Sequence, residues 1–229
     1  LPQTELVSAP AGREEEALAA LNADPGVRYA APNVRLRAAT TNLPSDPWFG
    51  LQWALGQAAN DADIDLDRAW EVSEGSGVTV AVVDAEVDVQ HEDLEQQIAP
   101  GGRDFVPPGR GCPAAPPTGP ADHGTHVAGV IAAERDNGVG IVGVAPRAKV
   151  VPVRVLDYCG GAYLDEIKTA LRYAAGALGA PIVTAAFASD PLEDPLHRET
   201  VNEAFAEVFA EFPDTLFVVA AGNAGADVD

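Results

Sequence analysis

Four stretches of the chain are runs of apolar, largely β-branched residues: Val78 to Val83, Val150 to Leu156, Ile182 to Ala186 and Leu216 to Ala220. Runs of this length with little polar alternation predict strands buried on both faces, as in a parallel sheet. Between them the period changes. Leu164, Ile167, Leu171, Ala174, Ala175 and Leu178 fall on one face of a helix, as do Val201, Phe205, Val208, Phe209 and Phe212. Strands alternating with helices predict the α/β class, with a mainly parallel sheet and helices on both faces. In such sheets ligands sit beyond the carboxyl ends of the strands. Asp84 and Gly222-Asn223 end two of the runs and are the first places to look for chemistry.

Upstream the pattern is weaker. Ala17, Leu18 and Leu21 share one side of a short helix, Asp24-Pro25-Gly26 breaks it, and Val27 to Leu36 reads as a strand. From Ala38 to Pro47 the chain turns polar and Pro-bearing, which predicts an exposed linker and a boundary. The Pro/Gly-rich stretch from Pro100 to Pro120 suits neither a helix nor a central strand and is expected as a surface loop.

Composition narrows the function classes. With 229 residues the chain is long enough for one main domain plus an appendage. Its 14 Lys and Arg against 35 Asp and Glu give a net charge of −21, which repels phosphate backbones and anionic lipid, so neither nucleic acid nor a membrane is an expected partner. No apolar run approaches the roughly 18 residues that cross a bilayer. Methionine is absent even at position 1, and no basic start leads into an apolar stretch, so a processed product or an excerpt is expected. Two cysteines, Cys112 and Cys159, are too few for a disulfide framework.

One constellation stands out. Asp122-His123-Gly124-Thr125-His126-Val127-Ala128-Gly129 places two histidines three apart at the start of a small-residue helix. Together with Val80-Ala81-Val82-Val83-Asp84 upstream and Val218-Val219-Ala220-Ala221-Gly222-Asn223 downstream, it resembles the subtilisin-like serine peptidases, from about Trp48 to the last residue. The resemblance implies a three-layer α/β/α fold and acyl-enzyme hydrolysis of polypeptide substrates. It assigns His123 as general base, Asp84 as its orienting carboxylate and Asn223 as the amide donor to the oxyanion. It also assigns Ala186, Phe187 and Ala188 to the substrate-binding strand. Each residue has a plainer reading: Asp84 as a turn cap, Asn223 as a turn residue at positive φ, His126 as a buried structural histidine. A zinc site is not expected, because no Glu follows in the HExxH manner.

The same resemblance implies a structural calcium ion. Glu134 to Pro146 is similar to the family's calcium loop, and the implied ligands are the side chains of Asp93 and Asn137 with the carbonyls of Arg135, Val139 and Ile141; Gln52 is a sixth candidate. The alternative is a Gly-rich turn without an ion. Residues 1–40 resemble the end of a propeptide that acts as an intramolecular inhibitor, and 41–229 the first part of the catalytic domain; an ordinary amino-terminal subdomain is the alternative. A secreted, extracellular zymogen follows from this resemblance. In that setting Cys112 and Cys159 form either a disulfide or two free thiols.

Three departures bear on activity. Ser8, Ser45, Ser73, Ser76 and Ser189 all lack the strand-to-helix setting of the family's nucleophile, so the chain is expected to be inactive alone. Ala85-Glu86 stands where the family has a small residue and Gly, which puts the backbone after Asp84 in question. Ala186-Phe187-Ala188 replaces a Ser-Leu-Gly pattern. A noncatalytic binding or scaffold protein of the same fold is the rival reading.

Overall fold

The computed structural model describes residues 4–33, 43–56, 62–110, 121–187 and 195–223, and the chain divides into two units, 1–41 and 42–229. In the first unit, helix α1 (Glu14–Ala23) carries Glu14, Glu15 and Glu16 in its opening turn, where carboxylates complement the helix dipole. Ala17, Leu18 and Leu21 are half-buried, and no residue of α1 is fully buried. The strand expected from Val27 onward is absent as far as Asn33, and 34–36 lie outside the described residues. The reason is local. The Asn22 amide donates to the Ala30 carbonyl at 3.0 Å and accepts the Ala30 N–H at 2.8 Å, so both main-chain groups of Ala30 are taken and withheld from a β-ladder.

The apolar runs of the second unit form strands as expected. These are β1 (Thr79–Asp84), β3 (Lys149–Arg154), β4 (Ile182–Ala185) and β5 (Leu216–Val219), with a two-residue edge strand β2 (Arg103–Asp104) inside the stretch expected as loop. The sheet is parallel throughout, in the order β2-β3-β1-β4-β5. Its helices are α2 (Leu66–Trp70), α3 (Ala121–Ala132), α4 (Leu164–Arg172) and α5 (Pro195–Glu211).

Strand alternation shows why both faces are covered. Val82 and Val150 pack with Ala128 and Ala132 of α3. Ala81, Val83, Val151 and Val153 point the other way, toward Ala170 and Leu171 of α4 and Val208 of α5. Small residues let α3 sit low on the sheet and let Gly143 approach the backbone of Ala132 and Ala133, where an added Cβ would lie 2.5 Å from three main-chain atoms. Because every strand runs the same way, all carboxyl ends share one edge. Asp84, the Arg154 to Leu156 segment, Ala186-Phe187 and Gly222-Asn223 all lie there. Among the described residues no helix is long and apolar enough to cross a membrane.

Candidate active site

β1 ends at Asp84, whose side chain is fully buried and whose Oδ1 lies 2.7 Å from His123 Nδ1. The Ala85 N–H donates to the same oxygen at 2.6 Å. The Asp84 carbonyl accepts the N–H groups of Val155 at 2.8 Å and Leu156 at 3.1 Å, which fixes the main chain that carries the carboxylate. A carboxylate only accepts, so in a neutral ring this contact places the proton on Nδ1 and leaves Nε2 with its lone pair. Half of the imidazole is open to solvent, 47% of the side chain being exposed. A ring held from behind by a buried carboxylate, with its basic nitrogen accessible, can take a proton from a bound hydroxyl.

Gly124 makes this approach possible. A Cβ there would lie 2.6 Å from the Ala85 carbonyl oxygen and 2.7 Å from that of Glu86, so only glycine lets the first turn of α3 sit against the segment after Asp84. The concern over Glu86 does not materialise. Among the described residues the non-glycine positive-φ positions are Asp65 and Asp136 alone, so Glu86 has an ordinary backbone. The buried stripe of α3 runs through Gly124, Ala128 and Ala132, which turns His126 to the opposite side. It is exposed, contrary to the expectation of a buried histidine.

Asn223 is exposed and lies beyond β5, the strand that stands two places from β1 in the sheet. The positive φ of this turn belongs to Gly222, at 90°, and not to Asn223, which leaves the amide without the turn role considered for it. Ala186 and Phe187 continue from β4 and are half-buried, but the Phe187 ring packs on the core shared with α4 and α5. Its backbone, rather than its side chain, is what it offers at the edge. Ala188 lies outside the described residues. Cys159 is disulfide-bonded; the other cysteine of the sequence, Cys112, also lies outside them.

The loop from Glu134 to Ile141 brings Asp93 and Asn137 together, with Asn137 Nδ2 donating to Asp93 Oδ1 at 2.9 Å. The Ile141 N–H donates to Asp93 Oδ2 at 3.0 Å, and the Val139 N–H to Asn137 Oδ1 at 2.8 Å. Asp93 is 3% exposed; burial pushes its carboxyl up, against the Ile141 and Asn137 hydrogen bonds, and the nearby charge of Asp46 pushes it further. Sequence reasoning missed Asp46, which it placed in a linker. The residue is 4% exposed, its Oδ2 accepts the Asp136 N–H at 2.9 Å, and its buried Oδ1 has no hydrogen-bond partner. Gln52 is committed elsewhere, exchanging two bonds of 2.9 Å with the carbonyl and N–H of Val142. Among the described residues no three His, Cys, Asp or Glu side chains converge on one point. Two buried carboxylates and a side-chain amide gather here, and oxygen donors of this kind suit a hard cation.

Residues 75–229 match the Subtilase family. The thermophilic serine proteinase of Bacillus sp. (strain AK1) is 36% identical over 215 residues, covering 93% of this chain and 48% of that protein. Thermitase of Thermoactinomyces vulgaris is 34% identical over 182 residues, 80% of this chain and 58% of that one. The chain thus spans about half the length of these relatives. An extracellular protease of Xanthomonas campestris is 37% identical over 178 residues, 68% of this chain and 30% of its own. Among solved structures, a protease from Pseudoalteromonas arctica superposes with a TM-score of 0.62 at 31% identity, over 79% of this chain and 59% of that one.

Proposed function

This chain belongs to the subtilase family, and we propose that it carries the general base and oxyanion donor of a secreted, calcium-stabilised serine endopeptidase that cleaves polypeptides through an acyl-enzyme. The observation that carries the reading is the 2.7 Å contact between the buried Asp84 carboxylate and the half-exposed His123 ring. In the proposed reaction His123 Nε2 takes the proton of the attacking hydroxyl, and Asp84 stabilises the imidazolium that results. His123 then returns that proton to the leaving amine. Asn223 donates to the oxygen that becomes negative as the tetrahedral intermediate forms. The backbone of Ala186 to Ala188 lines up the substrate chain. Among the described residues, Ser8, Ser45, Ser73 and Ser76 all lie outside any strand-to-helix turn; in this reading the nucleophile is none of them, and it comes from polypeptide other than these 229 residues, which leaves the chain alone inactive.

Residues 1–40 serve as the intramolecular inhibitor of a zymogen. The ordinary backbone at Glu86 supports the enzyme over a noncatalytic scaffold, since the departure there leaves the Asp84 to His123 contact in place. For calcium, the support is the buried, like-charged pair Asp46 and Asp93, one of whose oxygens is unpartnered, an arrangement a divalent cation would neutralise. Asp46, Asp93 and Asn137 with the carbonyls of Arg135, Val139 and Ile141 would hold it, and its contribution there is to fix the loop.

A fluorophosphonate probe applied to the longest natural product of the gene tests the proposal. Labelling of one serine, abolished by His123→Ala, is the expected result. A folded product, free of residues 1–40, that takes no label would establish the scaffold instead.

A further inference from the structure

We propose that Glu86 is a positioning residue, whose side chain ties the segment after Asp84 to the end of β3 and so keeps Asp84 facing His123. The proposal rests on the reading of Asp84 and His123 as a carboxylate-oriented base. Beyond Asp84 the main chain leaves the sheet, and the carbonyls of Ala85 and Glu86 form the surface on which Gly124 rests. Any drift of this segment therefore alters the seat of the helix turn that carries His123.

The Glu86 carboxylate is what ties the segment to β3. Tyr158 donates its hydroxyl to Glu86 Oε2 at 3.1 Å, and the Arg154 guanidinium lies 3.7 Å from the same oxygen. Arg154 is the register partner of Asp84; it also reaches Asp104 Oδ2 at 3.1 Å and covers the Tyr158 ring at 4.5 Å. Strands β2, β3 and β1 are thereby joined at their carboxyl ends through one guanidinium. Tyr158 is itself presented by a stiff turn, because Asp157 Oδ1 accepts the N–H groups of Cys159 at 2.8 Å and Gly161 at 3.0 Å, and Cys159 is in a disulfide.

Magnitude decides between a stabilising and a positioning role. Glu86 is 49% exposed and Tyr158 43% exposed, and contacts between such groups add little to folding stability. What they do set is geometry, over the single residue, Ala85, that separates the tether from the catalytic carboxylate.

Proton NMR of the 229-residue chain tests this at the His123 Nδ1–H, identified by its loss in His123→Ala, with the thermal midpoint of each variant measured alongside. The parent chain is expected to show a downfield resonance for this proton. Glu86→Ala and Tyr158→Phe should shift it upfield and broaden it into exchange with water, while Glu86→Gln, which keeps an acceptor for Tyr158, should retain it. The thermal midpoints of all three should match the parent. An unchanged resonance in Glu86→Ala overturns the proposal, as does equal loss in Glu86→Gln. A loss that follows a lowered midpoint also overturns it and makes Glu86 a stabilising residue. Absence of the resonance in the parent overturns the Asp84 to His123 reading itself.

Discussion

A Cβ added to Gly124 would sit 2.6 Å from the carbonyl oxygen of Ala85, the residue that follows the buried carboxylate. Both obstacles nearest to it are main chain, which cannot rotate away as a side chain could. Gly124→Ala should therefore displace the first turn of α3. We expect a loss of about 1–3 kcal/mol in urea unfolding, the usual cost of overpacking. The downfield proton of His123 should disappear in the same variant.

Calcium should raise the thermal midpoint of the chain, and a chelator should lower it. At a calcium concentration about 100 times the dissociation constant the gain is about 2.7 kcal/mol. Asp93→Ala and Asp46→Asn should each abolish the difference between calcium and chelator. Calorimetric scans of the three proteins under both conditions check this, and an unaltered calcium response in Asp46→Asn removes that residue from the set.

Gln52 should behave differently. Its amide satisfies both main-chain groups of Val142, a fully buried residue, so Gln52→Ala strands a donor and an acceptor. A loss of roughly 1–3 kcal/mol is expected. Its magnitude should be the same with calcium and with chelator, which separates a structural role from a ligand role.

The Arg110 to Glu166 pair gives a pH signature. Burial pushes the Glu166 carboxyl up, but two hydrogen bonds from Arg110 at 2.6 and 2.5 Å, the Tyr163 N–H and the guanidinium charge outweigh it and hold the group below its ordinary value of 4.5. A carboxyl depressed in the folded state stabilises above its unfolded value, and that contribution is lost as the pH falls through the folded one. Glu166→Gln should thus be less stable than the parent at neutral pH. The gap should close on acidification below 4.5. Urea titrations of both proteins across that range measure it.

The sheet was legible because strands buried on both faces, such as Val80 to Val83, carry a signal that needs no partner to interpret. The two-residue β2 was not, since Arg103 and Asp104 are exposed and pair only because β3 already stands beside them. Phe187 illustrates a second limit. Its place after β4 followed from sequence, whereas the direction of its ring depends on the space left by α4 and α5. Asp46 was hidden by composition: a polar, Pro-bearing stretch looks exposed until the loop that covers it, some 90 residues away, is in place. The Asp84 and His123 residues were legible as a motif; their 2.7 Å contact required Gly124, whose necessity appears only when α3 meets the Ala85 carbonyl.

Among the described residues β5 forms one margin of the sheet, and Leu216, Val218 and Val219 are 59%, 48% and 56% exposed. An unshielded margin rich in branched side chains is a template on which a second molecule can nucleate. Concentrated preparations of this polypeptide are accordingly expected to lose material to precipitation first through that strand, and Val218→Lys should slow that loss.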